Sequence, residues 1–386
     1  MKETIRKNHD LHFNKKPSKT YFAPATIQIL GEGSDVLKGK VMMLTLSKGI
    51  YASVSDKEEL QLDIQMDFMS EQYRLLVDLT NLNQETNDIY AKRVIALIKK
   101  LQYEGYPVQK GLNISITPSQ TLPKNLGLHA TFDMMIMYIL ATENAFDITD
   151  MKQIRYAYSI EKALQGNHHV NIAQHIACAL GKKNQMMMVD TKTLHYEYLP
   201  FDAEHYRYVH VFINRPKFIL NSDITIRLKG IQKATEQLNA FRTIDTLVDL
   251  SFEDFKRLKA KLKGSDIIRF AEHVMFEQMR IEQALDYLKQ KDMIMFGDTL
   301  DQSQNSLKHL YEISNSYYDA IISQMLNQGS IGARLSQIGY DQIVIALFEK
   351  TDTPHDDDFK EAFYKQYKKE LDIQPIALSQ GMHIIT

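Results

Sequence analysis

Between Pro123 and Gly127 the chain reads Pro-Lys-Asn-Leu-Gly, and the apolar run Met134 to Ala141 follows, so a loop enters a buried helix. The first N–H groups of such a helix have no partner within it, and the aligned peptide dipoles add positive potential, so this is where a phosphate would sit. A second group is His168, His169 and His175 with Glu161 upstream. Imidazole and carboxylate are metal ligands, but no helical i, i+4 pair with a carboxylate in a set pattern is present, and no metal is assigned. The single cysteine, Cys178, lies in Ile176-Ala177-Cys178-Ala179-Leu180 with no basic neighbour. It reads as small buried filler rather than a nucleophile, and one cysteine excludes an internal disulfide or a multi-thiolate site. His355-Asp356-Asp357-Asp358 reads as an exposed acidic loop.

Strand-like and helix-like segments alternate around these positions. Val41 to Ser55 is β-branched and apolar, and Leu60 to Phe68 alternates apolar with polar, so both are expected as strands. Asn87 to Tyr103 places Tyr90, Val94, Leu97, Ile98 and Leu101 on one helical face before the strand pattern of Leu112 to Thr117, a βαβ-type unit. Met186 to Asp190 and Thr193 to Leu199 read as two strands joined by a turn, with the three methionines in the core, and Tyr206 to Ile213 as another strand. From Asp266 to Asn315 the spacing of Ile267, Phe270, Val274, Ile281, Leu285, Phe296, Leu300 and Leu307 predicts paired long helices. Ile343 to Phe348 is a strand and Phe359 to Leu371 an amphipathic helix.

With 386 residues, 44% of them hydrophobic, the chain can fill two cores, and a change of domain is placed near Pro200. Lys and Arg number 46 against 48 Asp and Glu. The net charge of −2 supplies no long-range attraction to nucleic acid or to an acidic membrane. Lys2, Arg6, Lys7, Lys15, Lys16 and Lys19 form the only basic cluster, expected as a solvated leading arm. No apolar stretch approaches the ~20 residues of a membrane span, the start lacks a secretory pattern, and a cytoplasmic location is expected.

The stretch Tyr21-Phe22-Ala23-Pro24-Ala25-Thr26-Ile27-Gln28-Ile29-Leu30-Gly31-Glu32-Gly33-Ser34-Asp35 resembles the N-terminal motif of galactokinases, in the GHMP kinase superfamily, which reads roughly F-A-P-G-R-I-N-L-I-G-E-H-T-D-Y. Ala179-Leu180-Gly181-Lys182-Lys183, the helical stretch from Glu272-His273 through Glu277, and Gly332-Ala333-Arg334-Leu335 resemble later family segments in the family order. The resemblance implies an α+β GHMP kinase fold of two lobes with the ligand cleft between them. It would divide into an N-terminal domain over 1–200 and a C-terminal domain over 201–386. It also implies ATP-dependent phosphorylation of a galactose-type sugar.

The resemblance carries over only in part. The family loop P-x-G-S-G-L-S-S-S-A corresponds to Pro123, Lys124, Asn125, Leu126, Gly127, Leu128, His129, Ala130, Thr131 and Phe132, a degenerate nucleotide-binding loop. Leu126 and His129 narrow the space where backbone N–H groups would approach phosphate. Asn125 tolerates a left-handed turn, Thr131 could replace one serine hydroxyl toward magnesium, and Glu161 stands where the family has a metal-associated glutamate. Counting back from Gly181 puts Gln174 at the catalytic aspartate, and Thr26 stands at the arginine that pairs with it. In the third motif, Leu335 to Gln342, only Gly339 remains of the family glycines. On the sugar side, Glu32 and Asp35 match acids that accept hydrogen bonds from galactose hydroxyls, Gly33 replaces a histidine, and Ile224 stands where a tyrosine packs on the sugar ring.

Losing base and arginine together would remove several kcal/mol of transition-state stabilisation if each gives a typical factor of about 10² to 10⁴. No catalytic residue is therefore assigned. The leading expectation is an inactive or greatly impaired galactokinase-like protein that binds a sugar or metabolite through Glu32, Gly33 and Asp35, or that engages a protein partner. No cofactor is assigned unless the nucleotide site survives, in which case it would be Mg-ATP. The alternative is an active ATP-dependent sugar 1-kinase with altered substrate or mechanism, with His175 or His129 as base.

Overall fold

The basic leading segment is a helix, not a solvated arm. The computed structural model describes residues 2–68, 71–119, 128–165, 170–213, 221–336, 342–351 and 356–385. In it α1 (Lys2–Phe13) buries Ile5 and His9, four residues apart on one face, and leaves Lys7 and Asp10 exposed. Charge counting sees the cations of this segment and misses the two residues that dock it.

The chain packs as two compact units: Met1–Thr26, Thr45–Lys183 and Ser379–Thr386 form one, Ile27–Leu44 and Asn184–Leu378 the other. The division is thus not a single cut separating 1–200 from 201–386, because an early segment joins the later half and the chain's end joins the earlier one.

The first unit takes the end of β1 nearest α1 and the far end of β2, from β1 (Lys19–Leu30) and β2 (Lys40–Lys57), with β3 (Gln61–Phe68) and β4 (Glu71–Asp78). To these are added α2 (Ile89–Tyr103), β5 (Gly111–Pro118), α3 (Leu128–Glu143), α4 (Asp150–Gln165) and α5 (Ile172–Leu180). The sheet order runs from the short strand His383–Ile384 through β1, β2, β5 and β3 to β4. β5 is antiparallel to β2, with Val54 opposite Ile114, and parallel to β3, with Ile64 beside Ile114. A parallel pair requires a crossover, which β4 and α2 supply. α2 buries Val94, Leu97, Ile98 and Leu101 as its spacing predicts, and Asp88 caps it by accepting from the Ala91 N–H at 2.7 Å. α3 is apolar almost all round and is buried accordingly.

In the second unit β6 (Gln185–Asp190) pairs antiparallel with the opening of β2 and with β7 (Tyr196–Pro200), and Met186, Met187 and Met188 are core residues. Then come β8 (Tyr206–Ile213), α6 (Asn221–Asn239), α7 (Phe252–Leu258), α8 (Ser265–Gln290), α9 (Met293–His309) and α10 (Ser316–Asn327). The unit closes with β9 (Gly332–Ser336), β10 (Ile343–Glu349), α11 (Asp356–Tyr367) and β11 (Leu371–Ile376). Their antiparallel sheet has the order β11-β8-β10-β9, and Val211, Ile231, Val274, Leu335 and Phe348 share its core. Residues 356–358 open α11 rather than forming a loop, and the carboxylates of Asp357 and Asp358 suit the positive end of a helix. His355 lies outside the described residues.

Candidate functional site

The turn that follows β1 is shaped by two glycines. Gly31 has φ +105° and Gly33 φ +81°, a backbone region that side chains disfavour. A Cβ at Gly31 would lie 2.8 Å from the Lys40 carbonyl, and one at Gly33 would lie 3.0 Å from the Tyr311 hydroxyl. Ser34 Oγ donates to the Gly31 carbonyl at 2.8 Å, and Asp35 accepts from the Val36 N–H at 3.0 Å. Glu32 is buried within this turn and Asp35 is half-buried.

The same unit packs α8, α9 and β9 against the turn through polar side chains. Glu277 of α8 is fully buried and accepts from the Gly31 N–H at 2.9 Å, from Ser303 Oγ of α9 at 2.9 Å and from Arg280 at 2.9 and 2.7 Å. Arg334 of β9 reaches the same carboxylate at 3.2 Å. Burial pushes the Glu277 carboxyl up, but the Arg280 and Arg334 guanidinium groups outweigh it and hold it at about 2. Arg334 is also buried. It donates through Nη1 to the Ile29 carbonyl and through Nε to the Leu335 carbonyl at 2.9 Å, and its Nη2 lies 3.7 Å from Glu32 Oε1.

His273 completes the support. Its Nε2 lies 3.0 Å from the Glu32 carbonyl, which can only accept, so Nε2 carries the proton and Nδ1 accepts from Ser306 Oγ at 2.8 Å. Burial lowers its pKa to about 4, which keeps the ring neutral. The Tyr311 ring stacks on it at 4.3 Å between centroids and 19° between planes.

The expected nucleotide-side and catalytic positions lie in the first unit. Thr26 closes the unit's share of β1 and is buried, and Gln174 is buried in the first turn of α5, where Asn171 caps the helix through the Ala173 N–H at 2.9 Å. Of the loop, Pro123, Lys124, Asn125, Leu126 and Gly127 lie outside the described residues. Leu128 opens α3, and Thr131 Oγ1 donates to the Pro24 carbonyl at 3.4 Å. His129 is half-buried, and burial followed by the Arg93 charge lowers its pKa.

Glu161 of α4 and His175 of α5 are both buried, with Oε2 and Nε2 3.2 Å apart. Burial raises the Glu161 pKa, but the His175 contact outweighs it and the net shift is downward. Arg93 of α2 and Asp133 of α3 form a second buried ion pair, and burial pushes the Asp133 carboxyl well above the usual range despite that guanidinium. Cys178 is fully buried, and burial raises its thiol pKa. His168, His169 and most of the third motif, 337–341, lie outside the described residues. Among the described residues no group of three or more His, Cys, Asp or Glu side chains is placed to hold a metal ion, and no helix is long and apolar enough to cross a membrane.

The structure thus gathers Glu32, Gly33 and Asp35 in one turn, and places Thr26, His129, Thr131, Glu161 and Gln174 in the other unit. His273, Glu277, Arg280, Arg334 and Tyr311, which support the turn, belong to no motif in the sequence that marks them as site residues. One signal was present: His273, Glu277 and Arg280 fall on the face of α8 that also carries Phe270, Val274 and Ile281, and polar residues on a buried face need partners.

The arrangement of sheets and helices is that of the GHMP kinases. A solved Lactococcus lactis galactokinase, complexed with galactose, matches with a TM-score of 0.88 over 99% of both chains at 20% identity. Methanococcus jannaschii mevalonate kinase matches with a TM-score of 0.59 over 94% of this chain and 99% of that one, at 15% identity. No protein-family model matches the chain. By sequence it is a homologue of galactokinases. It is 27% identical to the Clostridium tetani galactokinase over 360 residues, covering 92% of this chain and 90% of the relative. It is 25% identical to that of Staphylococcus carnosus over 376 residues, covering 97% and 96%.

Proposed function

We propose that this galactokinase homologue binds a sugar or a related small metabolite through the Glu32 to Asp35 turn and transfers phosphate at no appreciable rate. The observation that carries the reading is the buried Glu161–His175 contact beside Gln174 in α5. The carboxylate at the family's metal-associated position is engaged by an imidazole 3.2 Å away, and the position of the family base is an amide.

Mg-ATP would bring a divalent cation and a triphosphate, and the described residues fit that group poorly. Arg93, the buried guanidinium of this region, is paired with Asp133, and Thr131 donates its hydroxyl to a backbone carbonyl. Phosphoryl transfer depends on charge neutralisation and positioning far more than on covalent work by the protein, so both deficits act on the rate. A small-molecule regulator, with or without a protein partner, is the role that remains.

Purified protein is to be assayed with Mg-ATP and galactose, and titrated with Mg-ATP by calorimetry. Turnover below about 10⁻³ s⁻¹ and no binding heat are expected. Kinase-like rates of roughly 1–100 s⁻¹ would refute the reading. A thermal-shift screen of neutral sugars should raise the melting temperature, because a ligand of the folded state alone stabilises it by about 2.7 kcal/mol at a hundredfold excess over Kd.

One observation favours a second reading, an active sugar kinase with altered mechanism. An imidazole held by a carboxylate is the arrangement of a general base, and His175 with Glu161 has that form. If turnover is found, loss of it in H175N would support this assignment.

A further inference from the structure

Two open strand edges in this protein carry a usual guard against pairing with another chain. β11 holds Pro375, which has no N–H to offer, and the strand His383–Ile384 is only two residues long. β4 has neither guard. It ends its sheet, pairs with β3 alone among the described residues, and runs from Glu71 to Asp78 without proline or lysine. Leu76, near its end, is 50% exposed.

The register of β4 shows where its free backbone groups point. Leu62 lies opposite Val77 and Ile64 opposite Leu75, and at the end of the same ladder the Leu79 N–H donates to the Leu60 carbonyl at 3.0 Å. Bonded and non-bonded pairs alternate in an antiparallel ladder, so Leu75, Val77 and Leu79 turn their N–H and C=O groups to β3, and Arg74, Leu76 and Asp78 turn theirs to the open side. The side chains of Arg74, Leu76 and Asp78 also share one face of the sheet. Arg74 engages Asp63 through Nε and Nη2 at 2.8 and 2.6 Å, and Asp78 engages the Thr80 N–H and hydroxyl through Oδ1 at 2.8 and 2.7 Å. Nη1 and Oδ2 take part in none of these bonds.

We propose that β4 pairs antiparallel with β4 of a second copy of this chain, about a two-fold axis at Leu76. Only residues that turn their backbone to the open side can form the bonded pairs, which restricts the registers. With the axis at Leu76, that residue packs on the partner's Leu76, and Arg74 lies opposite the partner's Asp78 at both ends of the pair. Moving the axis to Leu75 or Val77 sets Leu76 opposite a charge, and moving it to Arg74 or Asp78 sets like charges opposite each other. Opposite charges and apolar pairs across strands stabilise, and like charges destabilise, so the Leu76 register is selected. On the other face it brings Leu75 beside the partner's Val77. A single pair of short strands falls below the roughly 1,200 Å² of a stable interface, so the dimer is reversible and its population rises with concentration.

The test is sedimentation velocity on the full chain over a hundredfold range of concentration, with circular dichroism confirming folding of each variant. The wild type is expected to pass from monomer to dimer. R74E and D78K should each weaken the dimer about tenfold, because each sets like charges opposite one another. An equimolar mixture of the two should recover it, since glutamate then faces lysine and Asp78 faces Arg74. If R74E does not fold without its bonds to Asp63, L76K and L76D take the place of the pair: each repels itself at the axis, and their mixture attracts. A wild type that stays monomeric throughout would leave the edge to some other chain and overturn the proposal. Association that survives D78K and L76K would put the dimer contact elsewhere and overturn it too. Variants that fail to associate alone and also fail when mixed would overturn the register.

Discussion

Gly33, the position the resemblance assigns to a family histidine, is closely packed. The backbone there is left-handed, and the Tyr311 hydroxyl lies 3.0 Å from the point a Cβ would occupy. Restoring histidine by G33H should therefore cost about 1–3 kcal/mol from strain and displacement of Tyr311, seen as a lower urea midpoint with unchanged slope, and no sugar affinity should be gained. A neutral or stabilising G33H would show that the turn adapts easily. Y311A in the same background should return part of the loss, because the two side chains compete for one volume. The turn was legible in the sequence, from the two glycines at 31 and 33. Tyr311 was not, because nothing in local spacing reveals which distant aromatic packs on Gly33.

α8 shows the same limit for a whole helix. Its apolar stripe at Phe270, Val274 and Ile281 predicted the helix, and Ser265–Gln290 bears that out. A search for apolar periodicity is blind to polar residues sharing that face, so the role of His273, Glu277 and Arg280 stayed hidden. E277A would leave Arg280 buried without its anion and Arg334 with only its 3.7 Å contact to Glu32, and should cost about 3–5 kcal/mol. E277Q keeps an acceptor for the Gly31 N–H and should cost clearly less, even though the charge is lost. Thermal or urea unfolding compares the two, and equal losses would mean that charge alone holds α8 to the turn. α1 failed for the opposite reason. Its cations invited a solvated reading, while Ile5 and His9 dock one face of the helix.

The GHMP architecture followed from the family resemblance, but the grouping of segments into two units did not. Ile27–Leu44 joins the later unit because β6 pairs with the opening of β2, with Met42 opposite Met188, a long-range register that no local pattern encodes. Both units contain a fully buried histidine whose pKa burial lowers. His9 bridges Ser55 Oγ at 2.9 Å and Ser115 Oγ at 3.0 Å in the first, and His273 supports the Glu32 carbonyl in the second. Burial lowers both to about 4, below the ordinary 6.5. As pH falls through 6.5 the unfolded chain takes up these protons first, so stability is full above 6.5 and declines down to about 4. Each histidine then removes on the order of 3 kcal/mol. Glu277, held at about 2, extends the decline from 4.5 downward. Asp301, which burial pushes up to about 6, acts with opposite sign, because its protonated form suits the folded state. The net slope is therefore a sum, and single variants are needed to resolve it. Hydrogen exchange read by mass spectrometry at pH 7.5 and 5.0, corrected for intrinsic rates, should show α1 and β5 losing protection in acid in the wild type and losing much less in H9Q. The stretch from Ser265 to Gln290 should lose protection in both proteins, because its histidine is untouched. Unchanged protection of α1 and β5 in the wild type at pH 5.0 would mean that His9 does not titrate against folding, and that the leading helix is held by Ile5 and its apolar contacts alone.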